Sequence, residues 1–209
     1  PKVSFLNPEF TYSVSKYQTA CGSSDILSHL FEIYFNDNES MYMLDSIMLA
    51  LMKTVVKYAP IAMEEPENYE ARANLMWASS WAINGFLSAT GSKAWSCHPM
   101  EHELSAFYDI THGLGLAILT PRWMEYILAD ENVEKFYRYG VEVFGLKEDE
   151  DKLKVAKEAI EKTSEFFFET LGLDDTLTKI NIDEEHFDQM AEKAFRGKYI
   201  DGYKKLYPE

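Results

Sequence analysis

Three of the five histidines in the 209-residue chain fall within "CHPMEHELSAFYDITHG", residues 97–113, at His98, His102 and His112. Imidazole carries protons near neutral pH and ligates borderline divalent metals. A concentration of it therefore points to acid–base chemistry or to an ion. His98 and His102 are four apart and share a face if the segment is helical. His98 and His112 are fourteen apart, about 21 Å along one straight helix, so they meet at one ion only if the chain bends back between them. The sequence offers such a bend. A residue before proline is pushed out of the α region, which predicts His98 in a loop just ahead of a helix over 99–107. "YDITHGLG" then interrupts, and His112-Gly113 opens the next helix.

A second segment, "CGSSDILSHLFEIYF", sets Asp25 and His29 four apart, on one helix face. Taken alone, this pair reads as a helix N-terminal acid and a packed histidine. Beside the histidine cluster it completes a set of four: Asp25, His29, His98 and His112. One carboxylate and three imidazoles suit Fe²⁺ or Zn²⁺ and leave a position for a substrate oxygen. Spacing alone does not decide whether His102 joins them. His186, in the acidic "DEEHFD", reads as a surface histidine, and Cys97 as a thiol that four harder ligands make unnecessary.

These groups need elements to hold them, and helical periodicity dominates the chain. Helices are predicted over 24–36, over 39–59 with Pro60 as the stop, and after Pro66 as far as Asn84-Gly85. Further ones are predicted over 113–128, 131–144, 150–171 and 183–195, with a short one near 199–206. The methionines of 39–59 (Met41, Met43, Met48, Met52) read as core filler. Ala78, Ser79, Ser80 and Ala82 are small enough to let another helix close. Only "VSFLNP" (3–8) suggests a strand, and "KEDEDKLK" (147–154) reads as a solvated face. With no linker or repeat, the expectation is one all-α domain over residues 1–209.

Composition bounds the partners. Hydrophobic residues make up 46% of the chain, enough for a core, and the formal net charge of −15 argues against nucleic acid or an anionic membrane. No apolar run is read as a membrane span. Two cysteines, Cys21 and Cys97, suggest free thiols in a reducing cytoplasm. No Gly-rich phosphate loop is present, and the start at "PKVSFLNPEF", without methionine, suggests a piece of something longer.

At the two histidine segments the sequence resembles the iron-containing (group III) alcohol dehydrogenases. "ACGSSDILSHLFE" is similar to the first signature of that family. "HPMEHELSAFYDITHGLG" is similar to the second, including the fourteen-residue interval. "EEPENYEARANLMWASSWAINGF" resembles the butanol dehydrogenase branch. Ser15, where the family usually has proline, and Cys21, where asparagine is common, depart from the pattern without touching the four groups.

The resemblance implies the multi-helix C-terminal domain of the dehydroquinate synthase-like, iron-containing alcohol dehydrogenase fold, without the N-terminal Rossmann-like domain that binds NAD or NADP. It implies Asp25, His29, His98 and His112 as metal ligands for Fe²⁺, with Zn²⁺ as the other candidate. It places His102 beside the nicotinamide and substrate as a catalytic and cofactor-contacting residue, and Glu32 behind the ligands as a support. The intact enzyme, a cytoplasmic homodimer, would interconvert a small aldehyde and its alcohol, and this chain alone would be inactive. Within the same fold the alternatives are zinc-dependent glycerol dehydrogenase-like and dehydroquinate synthase-like enzymes; the Asp25/His29 pair argues against the latter. A non-catalytic helical metal-binding domain is a further alternative. A helical phosphohydrolase needs an adjacent His-Asp dyad, which the chain lacks.

Overall fold

A computed structural model describes residues 2–35, 41–88, 95–195, 200, 204 and 206. Among them are nine α-helices and no named strand. The all-α expectation holds; the strand at 3–8 does not. Residues 2–7 pair with no strand among the described residues, and Asn7 instead caps a 3-10 turn, Pro8–Thr11, accepting from the Glu9 amide at 3.1 Å.

Helix α1 (Lys16–Tyr34) starts well before the predicted residue 24. Ser15 caps it, accepting from Gln18 N at 3.2 Å. The small polar residues that follow satisfy their hydroxyls inside the helix: Ser23 donates to Thr19 O and Ser24 to Cys21 O, each at 2.8 Å. α2 (Tyr42–Glu64) runs through Pro60. Proline deletes one hydrogen bond in the last turns, while Ala62 and Met63 continue the buried stripe beyond it. Met48 and Met52 fill the core and Met41 packs at its edge, but Met43 faces solvent. In length and composition α2 could cross a membrane, contrary to the sequence reading. Here its apolar face packs against α1, α7 (Val133–Phe144) and α3 (Tyr69–Ile83). Asn68, not Pro66, opens α3, accepting from Ala71 N at 3.0 Å.

A short α4 (Gly85–Ser88) leads towards α5 (Cys97–Tyr108), which takes in His98 rather than leaving it in a loop. The reason lies in α1: the Glu32 carboxylate accepts from the amides of Ser96, Cys97 (2.6 Å) and His98 (3.4 Å). An anion bonded to these orphan donors extends the helix N-terminus past the proline restriction. Asp109, in the left-handed region (φ 51°), ends α5, and α6 (His112–Ile127) begins three residues on. The bend thus lies at Asp109. Pro99 sits in a first turn, and Gly113 and Gly115 lie inside α6.

Beyond α7, the 150–171 expectation divides into α8 (Lys152–Glu165) and a π turn, Phe166–Thr170, followed by Gly172 at φ 68°. α9 is Phe187–Phe195. The short helix near 199–206 lies mostly outside the described residues, where Ile200 and Leu206 form an isolated antiparallel bridge. One hydrophobic cluster joins α1, α2, α3, α6, α7 and α8. At its centre Phe35 stacks on Phe136 at 4.0 Å between centroids, with Phe31 and Tyr139 edge-on at 5.3 Å.

Candidate metal centre

The four residues expected to converge do so. Asp25 Oδ1 lies 3.4 Å from His29 Nε2 and 3.6 Å from both His98 Nε2 and His112 Nε2. An ion with tetrahedral bonds of ~2.1 Å spaces its ligand atoms ~3.4 Å apart, close to these three separations; donor atoms of Asp25, His29 and His98 all lie within 4.8 Å of one another, while His112 also offers one to a second such group with Glu101 and His102. Asp25 Oδ1 and His98 Nε2 are buried and have no hydrogen-bond partner among the described residues. Buried polar atoms are rarely left unpaired, and a cation bonded to both answers the need. The donor set fits a divalent metal.

Each element contributes for a local reason. α1 puts Asp25 and His29 one turn apart on the face that meets α6. Gly113 lets that approach become close: a Cβ there would lie 2.0 Å from Cys21 O, and Ser24 Oγ donates to Gly113 O at 2.6 Å. Glu32, 2% exposed, accepts from His98 Nδ1 besides capping α5. This supports the reading of Glu32 as a residue behind the ligands. Such a bond fixes the tautomer and turns Nε2 outwards. Trp95 walls the site, edge-on to His29 and His98 with centroids 4.9 and 4.6 Å away.

The carboxylate and the imidazoles shift one another's protonation. Burial disfavours the Asp25 carboxylate, but the imidazoles of His98, His29 and His112 outweigh it and hold the carboxyl below its ordinary range. Burial likewise disfavours protonated His98, yet the Asp25 and Glu32 carboxylates lift it to about 9. His112 is raised by its bond to Glu101, and His29 is lowered by burial.

His102 is exposed, one turn along α5. Its ring stacks on His112 at 5.4 Å and stands 6.2 Å from His98. It flanks the four rather than facing Asp25. Cys97 is buried, its thiol directed to Thr120, and burial pushes that thiol well above its ordinary range. His186 is half-buried rather than fully at the surface, with its ring 5.3 Å from Phe107, away from the centre. Sequence reasoning missed Glu101, which is fully buried and accepts from His112 Nδ1. Its signal was available: Glu101 falls between Cys97 and Leu104 on the buried stripe of α5, where a carboxylate needs a partner.

Residues 19–204 match the family described as Fe-containing alcohol dehydrogenase family, C-terminal. Over 158 residues, 76% of this chain and 41% of the relative, the sequence is 58% identical to NADH-dependent butanol dehydrogenase A of Clostridium acetobutylicum. It is 32% identical over 156 residues to the NADPH-dependent aldehyde reductase YqhD of Escherichia coli, covering 74% of this chain and 40% of that protein. The crystal structure of NADH-dependent butanol dehydrogenase A from Thermotoga maritima superposes with a TM-score of 0.88 at 32% identity, over 100% of this chain and 54% of that one. The chain thus spans under half the length of these two curated relatives.

Proposed function

Because the chain belongs to the Fe-containing alcohol dehydrogenase family and matches its C-terminal part, we propose that it is the metal-holding half of an NAD(P)-dependent, butanol dehydrogenase-like enzyme that interconverts aldehydes and primary alcohols. Asp25, His29, His98 and His112 would hold a divalent ion. The observation that carries this is the single carboxylate oxygen, Asp25 Oδ1, within 3.6 Å of three imidazole nitrogens. When bound, the ion supplies Lewis acidity for the carbonyl or alkoxide oxygen, and the nicotinamide supplies or takes the hydride.

The chain's own residues do the rest. Three neutral imidazoles and one carboxylate leave a net positive charge at the centre, which suits a developing alkoxide. Glu32 keeps His98 turned towards Asp25, and Trp95 shields one flank from water. His102, exposed beside His112, relays the alcohol proton to solvent through its imidazole. We take the metal to be iron on the family's description, with zinc as an occupant the same donors accept tightly. Two buried free cysteines support a reducing, cytoplasmic location. The remainder of a homodimeric enzyme would bring the dinucleotide site. Elemental analysis of metal-supplemented protein tests the ligand set: wild type should carry one ion per chain, and Asp25→Ala and His112→Ala should each lose most of it. Wild-type metal content in both variants overturns the assignment.

A further inference from the structure

We propose that Glu101 is a positioning residue for the metal centre, acting through His112, and that Gly115 is kept free of a side chain to admit it. This rests on reading the centre as metal-binding. Glu101 is 0% exposed, and its hydrogen-bond partners among the described residues are His112 Nδ1 and, at 2.5 Å, Ser105 Oγ. Glu32 differs, since it also satisfies main-chain amides at the start of α5. Among the described residues, Glu101 caps nothing and pairs with no lysine or arginine. A carboxylate at such depth requires compensating charge, and an imidazole bonded to a divalent cation provides it. The carboxylate oxygen accepts, so the His112 proton sits on Nδ1 and the Nε2 lone pair is left on the side facing Asp25.

The space for Glu101 is made on α6. A Cβ at Gly115 would lie 2.7 Å from both Glu101 Cγ and Oε1 and 3.1 Å from Cδ. Fully enclosed, the side chain has no solvent to swing into. Any residue larger than glycine at 115 therefore pushes the carboxylate off His112. The clash at Gly113 is a different one, with the main chain of Cys21.

The test titrates metal-free wild type, Glu101→Ala, Glu101→Gln, Gly115→Ala and the double variant Glu101→Ala/Gly115→Ala with Zn²⁺ and Co²⁺ against a competing chelator. Affinity, the visible absorption of bound Co²⁺ and the melting temperature are read together. Glu101→Ala should weaken metal binding about 10- to 100-fold and shift the Co²⁺ bands. Glu101→Gln, which keeps the shape and one accepting oxygen, should fall between it and wild type. Gly115→Ala should resemble Glu101→Ala in affinity. The double variant should melt at least as high as Glu101→Ala, because the added methyl fills vacated space and alanine favours helix, yet stay weak for metal. Wild-type affinity and spectrum in Glu101→Ala overturn the proposal. So does a double variant that regains affinity along with stability, which would mark Glu101 as packing only. Failure of the wild type to bind either ion overturns the metal-centre reading, and this inference with it.

Discussion

Gly113→Ala is the substitution whose effect the geometry specifies most closely. The added Cβ would lie 2.0 Å from Cys21 O and 2.5 Å from Cys21 C, both main-chain atoms that no rotamer change can move. Ordinary contact begins near 3.4 Å, so α6 must retreat from α1 by about 1.4 Å at this point, on the spacing proteins keep at such contacts. His112 Nε2 now stands 3.6 Å from Asp25 Oδ1. A retreat of that size along the line between them takes the pair to about 5 Å, whereas two metal–ligand bonds of ~2.1 Å span at most ~4.2 Å. One of the four ligands must let go. Stability falls as well: overpacking costs about 1–3 kcal/mol, against the ~1 kcal/mol that alanine gains over glycine within a helix. Urea melts and a Zn²⁺ titration measure both effects. Ser24→Ala serves as the comparison. It removes the 2.6 Å bond to Gly113 O without forcing the helices apart, so it should cost about 1–3 kcal/mol and leave metal affinity near wild type. Gly113→Ala protein that binds Zn²⁺ as tightly as wild type would refute the reasoning.

Other outcomes follow from the same centre. His98 is held at about 9 in the metal-free fold, above its unfolded value of ~6.5. Its contribution to metal-free stability is therefore fully present below ~6.5 and lost as pH rises through about 9. His112, also raised, adds to this, and His29, lowered by burial, works against it. Melts of metal-free and metal-loaded protein between pH 6 and pH 9.5 check it: the loss of stability as pH rises through about 9 should appear in the metal-free form and not in the metal-loaded one. His102→Ala should keep the metal and, in the intact enzyme, lower kcat by something like 10²- to 10⁴-fold with an altered pH profile. Loss of metal would instead make His102 a ligand. The 209-residue chain alone should not turn over butyraldehyde with NADH or NADPH, since it carries no Gly-rich phosphate loop; measurable turnover would reveal a dinucleotide site within it.

What the sequence disclosed and what it concealed divide along the range of the forces involved. Asp25 and His29 share a face by local geometry, and the fourteen-residue interval between His98 and His112 forced a bend before any fold was known. The bend falls at Asp109, inside the "YDITHGLG" interruption, although nothing local announces its left-handed conformation. His98 was put in a loop because the restriction imposed by Pro99 is local. The carboxylate that overrides it, Glu32, lies 66 residues from His98 in sequence. Pro60 was read as a stop for the same reason: burial of Ala62 and Met63 is tertiary. Gly113 and Gly115 lie inside α6, and their lack of a side chain matters for what presses against them. Glu101 went unread because its partner, His112, reaches it only after the chain has turned.

The four proposed ligands also have a topology. Asp25 and His29 belong to one end of a long stretch of chain and His98 and His112 to the other, with α2, α3 and α4 strung between. A cation gripping both ends ties that stretch into a closed ring, a knot that a chelator can undo. The nearby link from Glu32 to His98 encloses 66 residues, and the entropy of tethering an unfolded chain across a ring of that size is about 4 kcal/mol. Removal of the ion should therefore be felt by helices that never touch it. Proteolysis or hydrogen exchange in α2 and α3 would then report on whether the ion is in place some distance away.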